Sequence, residues 1–272
     1  MIRIFSILGG LFMVGALAWS LLWGGINFAS EGLPTSVERE FHKHPKHLHL
    51  ASDGAFGHFD NQQLQRGFQV YQEVCAACHA LSQVAYGDLA ALGYNEDEVK
   101  AIAAKATIPH YDPKTGEVKA KPGLATDKFP PVPYAAQGTP PDLSLITKAR
   151  HDGAAYVYSL LTGYGAQQPA ALLKKYPDAK TGEGLHYNPY FANLNIAMAP
   201  PLTGEGQVTY GEGNPKPTVD QLAQDVAAFL VWTAEPTLAK RKQTGWPVLG
   251  FLLFATILSF MAYRNVWADE KH

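Results

Sequence analysis

The chain has 272 residues, a formal net charge of -2 at neutral pH and 47% hydrophobic residues. A nearly balanced charge offers no basic surface for a phosphate backbone, which argues against a nucleic-acid partner. The length allows one large domain or two small ones, each with an apolar core. The hydrophobic residues are unevenly placed, with long apolar runs at both ends of the chain.

The first apolar run covers residues 4–26 and contains no charged side chain. Arg3 ahead of this run resembles the start of a signal peptide, and residues 18–20 are the best cleavage candidate. The run is longer than the roughly 7–15 apolar residues of a signal peptide, which favours a retained anchor. Residues 1–28 are therefore predicted to be a signal peptide or a membrane anchor. In both cases the residues that follow are sent across a membrane.

The second apolar run covers residues 245–263. At about 1.5 Å per residue, a helix of this length comes close to the ~30 Å hydrocarbon core of a bilayer. The run lacks the polar stripe of a buried soluble helix. We predict a transmembrane helix at 241–264, a short tail at 265–272 and a domain outside the membrane at 29–240. The basic residues on both sides of the run leave its orientation open.

The segment between the two runs is typical of short helices joined by Pro- and Gly-rich loops. Asp60, Asn95 and Thr218 are N-cap candidates at three predicted helix starts. Asn95 and Thr218 are each followed three positions later by a residue that can complete a capping box, Glu98 and Gln221. Two more short helices are predicted in DLSLITKAR and GAAYVYSLLTGY. Residues 109–143 hold too many Pro and Gly for regular structure, and no strand pattern is evident. The predicted fold class is all-α with long irregular insertions.

The two cysteines of the chain stand in CAACH, residues 75–79, with a histidine directly after the second. A C-x-x-C pair alone also occurs in thioredoxin-like sites, zinc sites and disulfides. A zinc finger needs a second ligand pair and a thioredoxin-like site needs flanking strands, and the sequence offers neither. With the histidine, the motif is typical of covalent haem c attachment. Cys75 and Cys78 are predicted to form the thioethers and His79 to bind the iron.

A haem iron has a second axial position, and its ligand separates electron transfer from ligand chemistry. Of the four methionines, only Met198 lies between the apolar runs. Pro200 and Pro201 follow it, and their fixed φ angles help to hold such a loop against a flat cofactor. A methionine that fills a gap in the core is the alternative interpretation. We predict Met198 as the sixth ligand.

A group of histidines in the N-terminal part of the domain competes for this role: His42, His44, His47 and His49. Their Lys and Pro neighbours favour a solvated loop over a specific metal site. A haem enzyme such as a peroxidase would need an open sixth position, which the methionine assignment opposes.

Four ordered stretches, followed by one apolar helix, resemble the cytochrome c1 family: RGFQVYQEVCAACH, PPDLSLITKARHDGAAYVYSLLTGY, NPYFANLNIAMAPPL and DVAAFLVWTAEP. The resemblance covers residues 51–267. It implies a class I cytochrome c fold with insertions and one covalently attached haem c. It also implies a haem domain on the periplasmic side of a bacterial inner membrane, with the tail in the cytoplasm.

The resemblance also implies roles for individual residues near the haem. Arg150 matches the family position that pairs with a haem propionate, and Tyr156 matches a ring near the same edge. Pro141 and Phe191 match haem-contact positions. The alternative for Arg150 is a cation that interacts with a helix C-terminus, and Pro141 and Phe191 could be ordinary loop or core residues.

As for function, the resemblance implies the haem subunit of quinol–cytochrome c reductase in a respiratory or photosynthetic chain. Its implied partners are cytochrome b, the Rieske iron–sulfur protein as electron donor and a cytochrome c as acceptor, in a dimeric complex. A stand-alone, membrane-tethered cytochrome c is the alternative, although it would not need the long insertion at 80–140. Glu96, Asp97 and Glu98 are a candidate docking surface for a basic cytochrome c, or simply the solvated face of a helix.

Overall fold

The computed structural model describes residues 2–31, 36–111, 113, 116–133 and 139–269. The α-helices are α1 (Ile2–Glu31), α2 (Val37–Phe41), α3 (Asn61–Val70), α4 (Glu96–Ala104), α5 (Ile146–Ala149), α6 (Gly153–Leu161), α7 (Ala170–Lys175), α8 (Val219–Ala234) and α9 (Leu238–Val266). A π-helical turn follows α3 at Tyr71–Cys75, and 3₁₀ helices lie at Tyr86–Leu92 and Pro177–Ala179. The mainly helical fold class is confirmed.

Two short antiparallel hairpins accompany the helices. Strands β1 (Thr107–Tyr111) and β2 (Val118–Pro122) pair with each other, and β3 (His186–Tyr187) pairs with β4 (Asn195–Ile196). The prediction that residues 109–143 contain no regular structure is therefore wrong where β1 and β2 lie. Pro109 is tolerated because a two-stranded ribbon consists of edges, where a missing backbone N–H need not break a ladder.

The haem-motif helix begins as the sequence predicts, at the N-cap Asp60. Its Oδ1 accepts hydrogen bonds from the backbone N–H groups of Gln62 at 3.0 Å and Gln63 at 3.3 Å. After Val70 the helix widens into the π-helical turn, where the Ala76 N–H donates to the Tyr71 carbonyl at 2.8 Å. The sequence has Leu64, Phe68, Tyr71, Cys75 and Cys78 at helical spacing, and the continuous α-helix which that spacing predicts is wrong beyond Val70. Single π-turns of this kind are frequent at functional sites.

The core is centred on the crossing of α3 and α8. A Cβ atom at Gly67 of α3 would lie 2.1 Å from the Asp225 carbonyl of α8, so the two backbones approach each other at a distance that only glycine allows. Next to this crossing, the ring of Phe68 packs on Phe229 with centroids 5.5 Å apart, and Phe229 stacks on Trp232 at 5.7 Å. The start of the haem motif is thus fixed on the most buried part of the domain.

A buried polar network ties the same two helices together. The fully buried Asp225 carboxylate accepts hydrogen bonds from Arg66 Nε, the Tyr210 hydroxyl and the Gln221 amide, each at 2.9 Å. Burial and the Asp225 charge raise the pKa of Tyr210 well above its ordinary value, so its hydroxyl keeps the donating proton. Thr218 caps α8 through the Gln221 N–H at 3.1 Å, while the Gln221 side chain turns to Asp225. The capping box predicted here forms on the Thr218 side only.

The capping box predicted for α4 is confirmed on both sides. Asn95 Oδ1 accepts from the Glu98 N–H at 2.9 Å, and the Asn95 N–H donates to Glu98 Oε2 at 2.8 Å. Glu96 and Asp97 both lie near the Lys100 ammonium, at 2.7 and 3.7 Å. The Lys100 ammonium therefore offsets one of the three carboxylate charges on this surface, and the acidic docking surface stays a prediction.

Both apolar runs form long helices whose side chains are exposed. Helices α1 and α9 are long and apolar enough to cross a membrane. Each extends beyond the predicted segment, since α1 reaches Glu31 and α9 covers Leu238–Val266. The first turn of α9 is joined to the domain by an ion pair between Arg241 and Glu235, and Glu235 also pairs with Lys148.

We expect Asp225→Ala to lower the free energy of unfolding by about 3–5 kcal/mol, because it leaves the Arg66 charge buried without its partner. Asp97→Ala, which removes an exposed carboxylate from α4, is the matched control and should leave stability nearly unchanged. Urea unfolding of the detergent-solubilised protein, followed by circular dichroism, measures both. Equal losses in the two variants would contradict a structural role for the buried network.

Candidate haem-binding site

The two cysteines lie in one tight turn at the end of the haem-motif helix. The N–H groups of Cys78 and His79 both donate to the Cys75 carbonyl, at 3.1 and 2.9 Å. Both thiols are free, with Cys75 packed against the core and Cys78 exposed. Burial, and to a lesser degree Cys78, raises the pKa of the Cys75 thiol to about 12, so this side chain is neutral. Two free thiols held this close fit attachment to one flat group.

The imidazole of His79 is oriented by a backbone carbonyl from a distant part of the chain. Its Nδ1 lies 2.8 Å from the Pro141 carbonyl oxygen. Because that oxygen can only accept, Nδ1 carries the proton and Nε2 presents a lone pair. Metal-binding histidines generally donate their second ring nitrogen to such a partner, which fixes the tautomer and the ring orientation. The donor set and its orientation therefore fit a haem iron at His79.

Residues 141–144 are bound to the segment that follows His79. The Leu143 N–H donates to the Ala80 carbonyl at 2.9 Å, and Asp142 accepts from the Ser82 N–H at 2.9 Å. Burial acts to raise the pKa of Asp142, but hydrogen bonds from Ser144 and Ser82 outweigh it and lower that pKa. The charged carboxylate thereby keeps accepting these bonds. Pro141, predicted as a haem contact, is held where its carbonyl orients the imidazole.

A fourth residue, Tyr164, holds the main chain at Met198 and lies near Arg150 and Tyr156. Burial raises the pKa of the Tyr156 hydroxyl, and the adjacent Arg150 opposes this effect. Burial and the neighbouring Tyr156 also raise the pKa of Tyr164. The protonated Tyr164 hydroxyl donates to the Met198 carbonyl at 3.0 Å. The predicted propionate partner and the predicted sixth ligand therefore lie in the same region of the domain.

Tyr164 is not among the site residues that the sequence predicts. It ends the stretch GAAYVYSLLTGY, where a tyrosine after a short helix has the composition of an ordinary core residue. Its role depends on a hydrogen bond across 34 positions to a main-chain oxygen. A backbone acceptor leaves no trace in the amino-acid type, so the only available signal was the position of Tyr164 inside a stretch that resembles the family.

The loop between Phe191 and Met198 is rigidly supported. Asn188 is fully buried, and its side chain donates to the Leu160 carbonyl at 2.8 Å and accepts from the Tyr190 N–H at 3.1 Å. Leu194, also fully buried, has a φ of 66°, a left-handed conformation that costs a leucine energy and persists only where its surroundings impose it. Phe191 begins this strained turn, where its carbonyl accepts from the Leu194 N–H at 2.9 Å.

The contacts thus divide the predicted site residues between two sets. Cys75, Cys78, His79 and Pro141 form one, and Arg150, Tyr156 and Met198 form the other. Within the part of the chain that the structure describes, no hydrogen bond joins His79 to Met198. Each predicted axial ligand is held independently, one by α3 and the other by the loop after α6.

The histidine-rich segment before α3 is held against the domain, where the sequence predicted a solvated loop. His42 Nε2 lies 3.0 Å from the Tyr190 carbonyl, and Lys46 Nζ donates to Thr162 Oγ1 at 2.7 Å. The other histidines of the segment are exposed. Among the described residues, no three His, Cys, Asp or Glu side chains are grouped so that they could bind a metal ion.

The chain is similar to known proteins over most of its length. The model of the cytochrome C1 family matches residues 50–270. Cytochrome c1 of Rhodospirillum rubrum is 41% identical over 236 residues, covering 80% of this chain and 86% of that protein. Cytochrome b/c1 of Bradyrhizobium diazoefficiens is 42% identical over 239 residues, covering 80% of this chain and 34% of that protein. The cytochrome b-c1 complex catalytic subunit of Candida albicans is 39% identical over 238 residues, covering 84% of this chain and 79% of that protein.

The chain belongs to the cytochrome c1 family. A haem cofactor and a role in electron transfer follow from this membership, as the resemblance implied.

Tyr164→Phe should weaken the hold on Met198 without disturbing haem attachment, because it removes one hydrogen bond and keeps the ring. The far-red sulfur-to-iron charge-transfer band of the ferric protein should then be lost at a lower urea concentration. The free energy of that transition should fall by about 1 kcal/mol. Tyr158→Phe is the control, since that hydroxyl donates to Asp220 on α8 instead. Identical titrations of the two variants would contradict a positioning role for Tyr164.

Proposed function

We propose that this chain is the membrane-anchored haem c subunit of quinol–cytochrome c reductase. In this role it passes electrons from the Rieske iron–sulfur protein to a cytochrome c. The observation that carries the proposal is the CAACH turn, in which two free thiols stand beside an imidazole whose Nε2 is left free by the Pro141 carbonyl. Such a site suits a permanently bound, six-coordinate haem, which is the form required for electron transfer.

In this proposal, Cys75 and Cys78 hold haem c through thioethers, and His79 Nε2 and the Met198 sulfur bind its iron. Haem c supplies one-electron redox chemistry when bound. The thioether of Met198 stabilises the ferrous state and raises the potential. The Pro141 carbonyl acts in the opposite direction, since a proton shared from Nδ1 makes the imidazole a stronger donor to the metal. The potential is set by the balance of these two effects.

The second set of residues supports the cofactor's polar edge. Arg150 is proposed to pair with a propionate, which a guanidinium recognises through parallel charge-assisted hydrogen bonds. The effect of Arg150 on the Tyr156 hydroxyl supports this role, because it places the guanidinium near helix α6. Phe191, at the start of the strained turn, is proposed to cover the ring face on the Met198 side.

The membrane arrangement follows from the ends of the chain. We assign residues 29–240 to the periplasmic side of a bacterial inner membrane and 241–264 to a transmembrane span with a cytoplasmic tail. Helix α1 either crosses the membrane or is removed as a signal, with residues 1–28 as that segment. The lengths and apolar surfaces of α1 and α9 support the contact with a membrane, and the assignment of sides rests on the family resemblance.

The names of the relatives support the partners. One relative is named cytochrome b/c1 and another a catalytic subunit of the cytochrome b-c1 complex. Cytochrome b is accordingly the proposed membrane partner, within a dimeric complex that includes the Rieske protein. A stand-alone tethered carrier is the alternative that the next experiment tests.

When the chain is purified from its native membranes in a mild detergent, a b-type haem and an iron–sulfur protein should accompany it. The preparation should reduce added cytochrome c at the expense of quinol, with sensitivity to ionic strength because charged surfaces steer the encounter. Difference spectra and the quinol assay measure these properties. A preparation with c-type haem alone, from membranes in which quinol oxidation proceeds, would support the stand-alone carrier instead.

Met198→Leu should abolish the sulfur-to-iron band, allow the reduced protein to bind carbon monoxide and lower the midpoint potential by on the order of 0.1 V. Haem should stay attached, because the CAACH turn is unchanged. Arg150→Ala is the contrast: it should lower the potential by removing a positive charge while it keeps the band and excludes carbon monoxide. Retention of the band in Met198→Leu would show that another residue is the sixth ligand.

A further inference from the structure

A short loop of the domain lies directly against the start of α9. Residues 51–58, called here the juxtamembrane loop, are fastened to it by Lys242, whose Nζ donates to the carbonyls of Ser52 and Gly54, both at 2.6 Å. Farther along α9, the ring of Phe56 stacks on Trp246, with centroids 5.2 Å apart and planes inclined by 16°. A cation and a ring pair thus join the loop to α9.

The juxtamembrane loop has a defined shape of its own. The His58 N–H donates to the Ala51 carbonyl at 2.9 Å and closes the loop. Asp53 Oδ2 accepts from the Leu50 N–H at 2.8 Å. A Cβ atom at Gly57 would lie 2.1 Å from the Asp53 carbonyl, so only glycine fits this turn. Phe56 is therefore presented by a preformed turn.

The ring pair is apolar and faces outward. Phe56 is 80% exposed and Trp246 is 47% exposed, although each packs on the other. Trp246 is the second residue of the uncharged run 245–263 and stands four positions after Lys242, the last of the basic residues 240–242. Aromatic rings concentrate at this boundary between charged and apolar segments, where a membrane's headgroups meet its acyl chains.

We propose that the juxtamembrane loop is a second membrane contact, in which Phe56 and Trp246 together insert into the phospholipid interface. The proposal rests on the membrane span proposed for α9. A bilayer is favoured over a protein partner because the ring pair continues the apolar surface of α9 at its border. In addition, two of the three nearby cations have partners within the chain, with Lys242 on loop carbonyls and Arg241 on Glu235.

The juxtamembrane loop is joined through the chain to the helix that carries the haem motif. The juxtamembrane loop leads within two residues to Asp60, the N-cap of α3, and α3 continues into the turn that carries Cys75. A loop held in the interface therefore fixes the tilt of α3 relative to the membrane. The loop thus gives the domain a second point of contact with the interface, in addition to the ion pairs that join α9 to the domain.

The test uses the full-length, haem-loaded protein in phosphatidylcholine nanodiscs that contain a diazirine-bearing phosphatidylcholine. After irradiation and trypsin digestion, mass spectrometry should find lipid adducts on residues 47–66, the tryptic peptide that holds the loop. Phe56→Ser should reduce these adducts several-fold. Tyr111→Ser, which removes an exposed aromatic ring from β1, should leave them unchanged. Haem spectra verify that each variant is folded.

The peptide 243–264 from α9 distinguishes a failure of the loop contact from a failure of the proposed membrane span. Adducts on 243–264 without adducts on 47–66 would overturn the loop contact while the membrane span stands. Absence of adducts on both peptides would reject the span itself. The same labelling in native membranes provides a further check: lipid adducts on 243–264 but none on 47–66 would show that a protein covers the loop there, which would overturn the assignment to phospholipid.

Discussion

The close crossing of α3 and α8 at Gly67 is the constraint on which the rest of the domain depends. At 2.1 Å from the Asp225 carbonyl, a Cβ atom has no room, so the crossing fixes both the distance and the rotation of the two helices. The Arg66–Asp225 pair then holds their register along the axis. Because the CAACH turn continues directly from α3, this crossing fixes the position of the turn relative to the core.

Local signals in the sequence predicted much of this architecture. The caps at Asp60 and Asn95 form as expected, since an N-cap depends only on a side chain and on N–H groups two or three positions away. The long apolar runs likewise form helices, because hydropathy and length suffice to specify them. The β1–β2 hairpin was missed because its Pro and Gly content is that of a loop, and only the pairing with a second segment makes it regular.

Sequence patterns predict only some of the residues of the candidate site. Cys75, Cys78 and His79 could be proposed from spacing alone, and Met198 from its being the sole methionine between the apolar runs. The positions of Arg150, Tyr156, Pro141 and Phe191 came only from family resemblance. Tyr164 and the orienting action of the Pro141 carbonyl could not be read at all, because both depend on main-chain oxygens brought near by the fold. A backbone acceptor is the same in every residue type, so no pattern of side chains reports it.

The π-helical turn at Tyr71–Cys75 absorbs one extra residue ahead of the haem motif. A π-turn accommodates one residue more than the α-helical path over the same turn, so the residues after it keep the direction that a regular helix would give them. Deleting a single residue between 71 and 74 would let the α-helix run on regularly and leave both thiols close to their present direction. Related sequences should therefore differ by one residue before Cys75 more readily than by one residue inside the CAACH turn, where the spacing of the thiols and the imidazole is fixed.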